Sequence, residues 1–168
     1  QESGMLRHAL RIVFPVLAAT TLLAGCGPGQ EGSDVPQARE ITQEHFRDVG
    51  DWVIHFNAQS TNMLPAEVAK AYGIERSGNR AMLNVAVMRK EEGTIGKAVS
   101  ADVSVKARNL TGQLKNITVR KITEGPAIYY IGEIPVANQE TLVFEIDVRP
   151  EGAVESYTIR FRQQFYAS

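Results

Sequence analysis

The chain has 168 residues, a formal net charge of −1 and 43 % hydrophobic residues, enough for one domain with a buried core. A charge this close to neutral gives no basic surface for a nucleic-acid partner. A single cysteine, Cys26, excludes any disulfide within the chain.

In chain order, Gln1–Gly4 precede Met5 and read as the remnant of an expression tag. Arg7 and Arg11 then form a short basic front, and Ile12 to Leu23 is uncharged and almost wholly apolar. A bilayer span needs about 20 apolar residues, so this run is too short to cross. Residues 5–25 therefore read as a secretory signal. Its end, Leu23-Ala24-Gly25-Cys26, resembles the lipobox of bacterial lipoproteins. In that class the cysteine sulfur receives a diacylglyceryl group and the signal is cut before it. Cys26 is thus expected to be a lipidation site, and the membrane an expected partner through that lipid. Gly27 follows where an aspartate commonly retains such proteins at the inner membrane, which favours the outer membrane. Cutting before Cys26 removes Arg7, Arg11 and Glu2 and moves the net charge from −1 to −2, so attachment would rest on lipid rather than on charge.

Residues 26–39 are rich in Gly, Pro and polar side chains and read as a flexible tether. Residues 40–168 form a single domain in this reading. "DWVIHFNAQ" places Trp52, Ile54, Phe56 and Ala58 on one face and His55 on the other, as in a half-buried strand. "LPAEVAKAYG" predicts two or three helical turns near residues 65–72, from Pro65 at its start to Gly73 at its end. It is expected between the second and third β elements. "RAMLNVAVMRK", "KAVSADVSVKARNL", "LKNITVRKIT", "AIYYIGEIPV", "TLVFEIDVRP" and "ESYTIRFRQQFY" read as further strands. Met82 falls out of phase with Leu83, Val85 and Val87, and in the last strand Arg160, Arg162 and Gln164 oppose Tyr157, Ile159, Phe161 and Phe165. The breaks "KEEGTIG", "NLTGQ", "TEGPA", "VANQE" and "RPEGAVE" are turn chemistry. Seven or eight strands and one short helix predict a mostly β protein, an immunoglobulin-like antiparallel β-sandwich, with a closed barrel as the competing geometry.

The stretch "DWVIHFNAQSTNMLPAEVAKAYGIERSGNRAMLNVAV", with "ARNLTGQLK" and "AIYYIGEIP", resembles an uncharacterised family of bacterial lipoproteins catalogued as a domain of unknown function. The resemblance spans roughly Phe46 to Phe165. It implies a periplasm-facing domain and assigns no catalytic residue.

Catalytic patterns are weak. His45 lies near Glu44 and Asp48, but no H-x-x-x-H or H-E-x-x-H spacing exists, and no metal or other cofactor is expected. "ERSGNR" lacks the first glycine of a nucleophile elbow and reads as a tight turn at Ser77-Gly78-Asn79. Glu91-Glu92 is a polar turn. Tyr129 and Tyr130 are adjacent on a strand, so they face opposite sides and form no two-ring platform. The remaining candidate is a donor-rich patch: Arg76, Asn79 and Arg80 at one turn, with Lys106, Arg108, Asn109 and Gln113 at another. Should these turns meet at one end of the sandwich, they would suit a carboxylate, phosphate or peptide backbone.

The reading that follows is a non-catalytic binding or structural module of the cell envelope, facing an envelope protein or cell-wall component, with no nucleic acid. An exposed strand edge could pair with a partner strand. The alternatives are an envelope-acting enzyme, which needs a concave site with perturbed titratable groups, and an assembly or folding helper, which needs an exposed apolar groove.

Overall fold

A computed structural model describes residues 44–167. The signal, Cys26 and the tether lie outside the described residues. Among the described residues ten strands form two antiparallel sheets. Sheet A takes β1 (Phe46–Val49), β2 (Trp52–Ser60), β3 (Arg80–Arg89), β8 (Ala127–Pro135) and β7 (Val119–Glu124) in that spatial order, with β4 (Lys97–Ala98) also on β3. Sheet B runs β10 (Tyr157–Phe165), β9 (Glu140–Pro150), β5 (Ala101–Asn109), β6 (Leu114–Lys115). Among the described residues no ladder joins the two sheets, so the fold is a sandwich rather than a barrel.

Period-two alternation builds the core. Ile54, Leu83, Val85, Val87 and Ile134 point inward from sheet A, and Leu142, Phe144, Ile146, Val148 and Ile159 from sheet B, all 2 % exposed or less. Phe144 stacks on Phe161 with ring centroids 5.0 Å apart and meets the edge of Phe165 at 6.4 Å. Met82, out of phase in the sequence, belongs to a second cluster on the outer face of sheet A with Leu64, Ala69, Ile74 and Ile131. The helix α1 (Ala66–Ala71) contributes Ala69 to this cluster. It has six residues, fewer than two turns, against the two or three expected. Pro65 is still extended at ψ 142°, and Gly73 closes the element at φ +62°, which leaves no room for a further turn. Tyr130 faces the main core, while Tyr129 packs on the second cluster, so the two rings do lie on opposite faces.

Two single runs of the sequence become two strands each. "KAVSADVSVKARNL" leaves sheet A after β4 and enters sheet B as β5, and "LKNITVRKIT" returns from β6 to β7. The first crossing is held by hydrogen bonds at every step. The Val99 amide donates to the Val87 carbonyl at 2.9 Å, and the Glu151 amide donates to the Ser100 carbonyl at 2.7 Å. The Ala101 amide donates to the Tyr130 hydroxyl oxygen at 2.6 Å. Inward alternation continues through the crossing, because Val99, Ala101, Val103 and Val105 all pack on the same core. Tyr130→Phe removes the acceptor of a half-buried amide. It is expected to lower stability by about 1 kcal/mol, read by urea unfolding, with the midpoint and not the slope changing.

The β1 strand has no counterpart in the sequence reading. It pairs with β2 through a two-residue turn at Gly50-Asp51, with Gly50 at φ +52°. Its residues are exposed or half-buried, so no hydrophobic alternation marks it.

Candidate functional site

The seven residues nominated from the sequence fall on two surfaces. Arg76 donates to the Asn62 carbonyl at 2.8 Å. The Asn79 amide donates to the Ser77 hydroxyl at 3.1 Å, and the Asn79 carbonyl accepts from the Val136 amide at 2.9 Å. Arg80 reaches Glu133 at 3.3 Å on the outer face of sheet A. The turn is anchored from below by the buried Thr61, whose hydroxyl bonds both the amide and the carbonyl of Ser77. Asn109 and Gln113 close a self-contained turn. The Asn109 carboxamide oxygen accepts from the Gln113 amide at 2.9 Å and from the Thr111 hydroxyl at 2.7 Å.

The two turns share one link. Lys115 donates to the carbonyl of Pro135, the residue opposite Arg80, at 2.8 Å, and pairs with Glu140 at 2.6 Å. Both side chains of that pair are less than a fifth exposed. Burial alone would push the Glu140 carboxyl up, but the Lys115 ammonium and the Ala137 amide outweigh it and hold it below its ordinary 4.5. A depressed carboxyl contributes stability in full above its unfolded value and loses it as pH falls. The protein is therefore expected to weaken below about pH 4.5. Lys115→Met should cost about 1–2 kcal/mol at neutral pH and flatten that part of the acid dependence. Thermal melts from pH 7 to pH 3 on both proteins check this.

Lys106 and Arg108 project from the outer face of sheet B, where the register sets them in rows with residues of β9 and β10. One row is Lys106, Glu145, Arg160, and the next is Arg108, Val143, Arg162. Glu145 bonds Arg160 at 2.7 Å and lies 3.8 Å from Lys106. Val143 separates two guanidinium groups that form no ion pair among the described residues. By the same register the outer face of sheet B carries Lys106, Arg108, Arg149, Arg160 and Arg162 against Asp102, Glu145 and Asp147, and its row of Arg108, Val143 and Arg162 holds two cations and no carboxylate.

Beside that face lies a groove. Among the described residues β10 is an edge strand, paired with β9 on one side only, and it sits over β2: Phe161 and Phe56 are 4.9 Å apart, and Tyr157 and Trp52 are 6.2 Å apart. β1 continues sheet A beyond β2, so sheet A overhangs sheet B by one strand. The space under the overhang is a groove of about 450 Å³ lined by His45, Arg47, Phe56, Phe161, Arg162 and Gln164, among others. The His45 carbonyl accepts from the Phe56 amide at 2.8 Å, and Arg47 pairs with Glu44.

Other titratable groups have structural partners. His55 is exposed and packs against Phe46, with ring centroids 6.1 Å apart. The Tyr72 hydroxyl donates to Glu124, which pushes its pKa up to about 12 and ties α1 to β7. Among the described residues no group of three or more His, Cys, Asp or Glu side chains could hold a metal ion.

The sequence already showed the outward phase of Arg160 and Arg162, but not their proximity to Lys106 and Arg108, which depends on β9 lying between β5 and β10. The groove had no sequence signal, since β1 itself had none.

Comparison with known proteins agrees with this architecture. No curated protein matches the chain. The crystal structure of a DUF4426 family protein (PA0388) from Pseudomonas aeruginosa PAO1 is 32 % identical, covers 73 % of this chain and 94 % of its own, and superposes with a TM-score of 0.63. The structure of FetP from uropathogenic E. coli strain F11, expressed recombinantly in the periplasm of E. coli, is 10 % identical. It covers 73 % of this chain and 93 % of its own at a TM-score of 0.51, a likeness of fold. The family model described as "Domain of unknown function (DUF4426)" matches residues 46–168, and the chain belongs to that family.

Proposed function

We propose that the protein is a non-catalytic binding module of the bacterial cell envelope, held at a membrane through lipid on Cys26 and engaging a partner along the edge of β10. The observation that carries this reading is the nine-residue strand Tyr157–Phe165, unpaired on one side among the described residues, beside a groove lined by its Phe161. An edge of that length offers a row of free amides and carbonyls, which natural proteins usually blunt unless it is used. The filled core supports binding at a surface over chemistry in a cleft, as does the engagement of Tyr72, Glu140 and Glu145 in internal bonds. No helix of the described residues is long and apolar enough to cross a membrane, so attachment would rest on the lipid.

Two measurements test the two halves. Cys26→Ser is expected to leave the folded domain intact, abolish fatty-acid labelling and release the protein from the membrane fraction. A labelled or membrane-bound Cys26→Ser protein would refute the anchor. In-cell photocrosslinking from Gln164 is expected to give a discrete adduct, identified by mass spectrometry, that a crosslinker at Glu92 does not give. Adducts formed equally from both positions would count against β10 as the working edge.

A further inference from the structure

We infer that the partner at β10 is an extended segment of another protein in which apolar and acidic side chains alternate, added to sheet B as an extra strand. This rests on the strand-edge reading above and adds the chemistry of what binds.

The geometry sets the alternation. A strand placed on the free side of β10 lies about 4.8 Å from it and directs successive side chains to opposite faces. Side chains level with Phe161 point inward, beneath the overhanging β1, where the half-buried Phe161 ring, packed on the buried Phe56, lines the groove beside His45 and the Arg47–Glu44 pair. An apolar side chain gains from covering the Phe161 ring. Side chains level with Arg160 and Arg162 point outward, beside the row of Arg108, Val143 and Arg162 that holds two cations and no carboxylate. Glu145 already bonds Arg160 from the β9 side, whereas Arg162 stands opposite Val143 with no ion pair among the described residues. A carboxylate on the added strand would supply the missing acceptor, and cross-strand pairs of opposite charge stabilise a sheet while like charges destabilise it. A basic segment would meet Arg160 and Arg162 and be repelled. The inner face thus selects for apolar side chains, the outer face for acidic ones, and the edge for an extended backbone.

The test uses the full chain and labelled peptides of nine residues, the length of β10. One alternates valine and glutamate, one alternates valine and lysine, and a third is the first with its alternate amides N-methylated along one edge. The valine–glutamate peptide is expected to bind and to slow hydrogen exchange of β10 amides. The lysine peptide should bind at least about tenfold more weakly, and so should the N-methylated one, which keeps its side chains but loses half its donors. Arg162→Glu should weaken the glutamate peptide about tenfold and improve the lysine peptide. Arg162 faces Val143, so this change breaks no ion pair among the described residues, and Arg162→Gln provides a milder second variant, expected to weaken the glutamate peptide less. Lys70→Glu on α1, an equal charge change elsewhere, should alter nothing. Equal binding of the glutamate and lysine peptides would overturn the charge assignment. Undiminished binding of the N-methylated peptide, or binding without protection of β10, would overturn strand addition. Crosslinking to a partner at Gln164 with no binding of any peptide would overturn this inference and leave the binding-module reading in place.

Discussion

Phe144→Ala is expected to remove about 3–5 kcal/mol of stability, a large share of the total for a domain of this size. Phe144 is fully buried at the centre of sheet B. It stacks on Phe161 at 5.0 Å with planes 15° apart, and Phe161 in turn meets Phe56 of the opposite sheet at 4.9 Å. Truncation therefore opens a cavity between the sheets, removing one ring from an aromatic column that joins them. Phe56→Ala, at the other end of that column, should cost a similar amount, about 3–5 kcal/mol. The neighbours provide the control. His55 is exposed, and His55→Ala should cost under about 0.5 kcal/mol. Glu145 is only 20 % exposed and bonds Arg160, so Glu145→Ala should cost somewhat more, about 1 kcal/mol. Denaturant unfolding of the four variants reads the alternation directly. Equal losses at Phe144 and Glu145 would mean that the strand phase is wrong.

Gly132→Val should cost about 3 kcal/mol, and for the opposite reason, too much volume. Gly132 stands in the middle of β8 between Leu83 and Val119. Its backbone conformation is ordinary, so the need for glycine is one of space. A Cβ there would lie 2.7 Å from Cγ1 and 2.8 Å from Cδ1 of Ile117, and 3.4 Å from the Thr118 carbonyl oxygen. Ile117 belongs to the β6–β7 crossing and packs on the main core through this gap. Shortening it should make room. Ile117→Ala in the Gly132→Val background is expected to recover part of the lost stability, although alone it is destabilising. A double-mutant cycle by urea unfolding measures that coupling, and strictly additive losses would contradict it.

The sandwich was legible where one strand stays in one sheet. In β2, β3, β9 and β10 the inward residues were readable by alternation alone, because one face meets the core and the other meets water or the second cluster. Alternation is blind to which sheet a residue belongs to, so the crossings at Val99–Ser100 and between β6 and β7 were invisible: inward is inward from either sheet. β1 was invisible because its residues are exposed or half-buried. The Ser77-Gly78-Asn79 turn was readable from its small polar residues, but Thr61, which holds it, was not, because their contact spans sixteen positions. The nominated cations were sorted in the sequence by turn, whereas the structure sorts them by sheet face. Arg80 lies on one outer face, Lys106 and Arg108 on the other beside Arg160 and Arg162.

The position of β10 in the strand order also bears on folding. Sheet B has β9 between β5 and β10, and β10 is the last of the described strands in chain order. Until it arrives, Leu142, Phe144, Ile146 and Val148 lack the aromatic cover of Phe161 and Phe165, and one edge of β9 is open along its length. A chain in which β10 has not yet docked thus carries an apolar strand open along one edge. In that state the edge is exposed to pairing with a second chain. The edge that β10 fills in one molecule is the one that a second molecule's β10 could fill instead, so exchange of this strand is an expected misassembly of the fold.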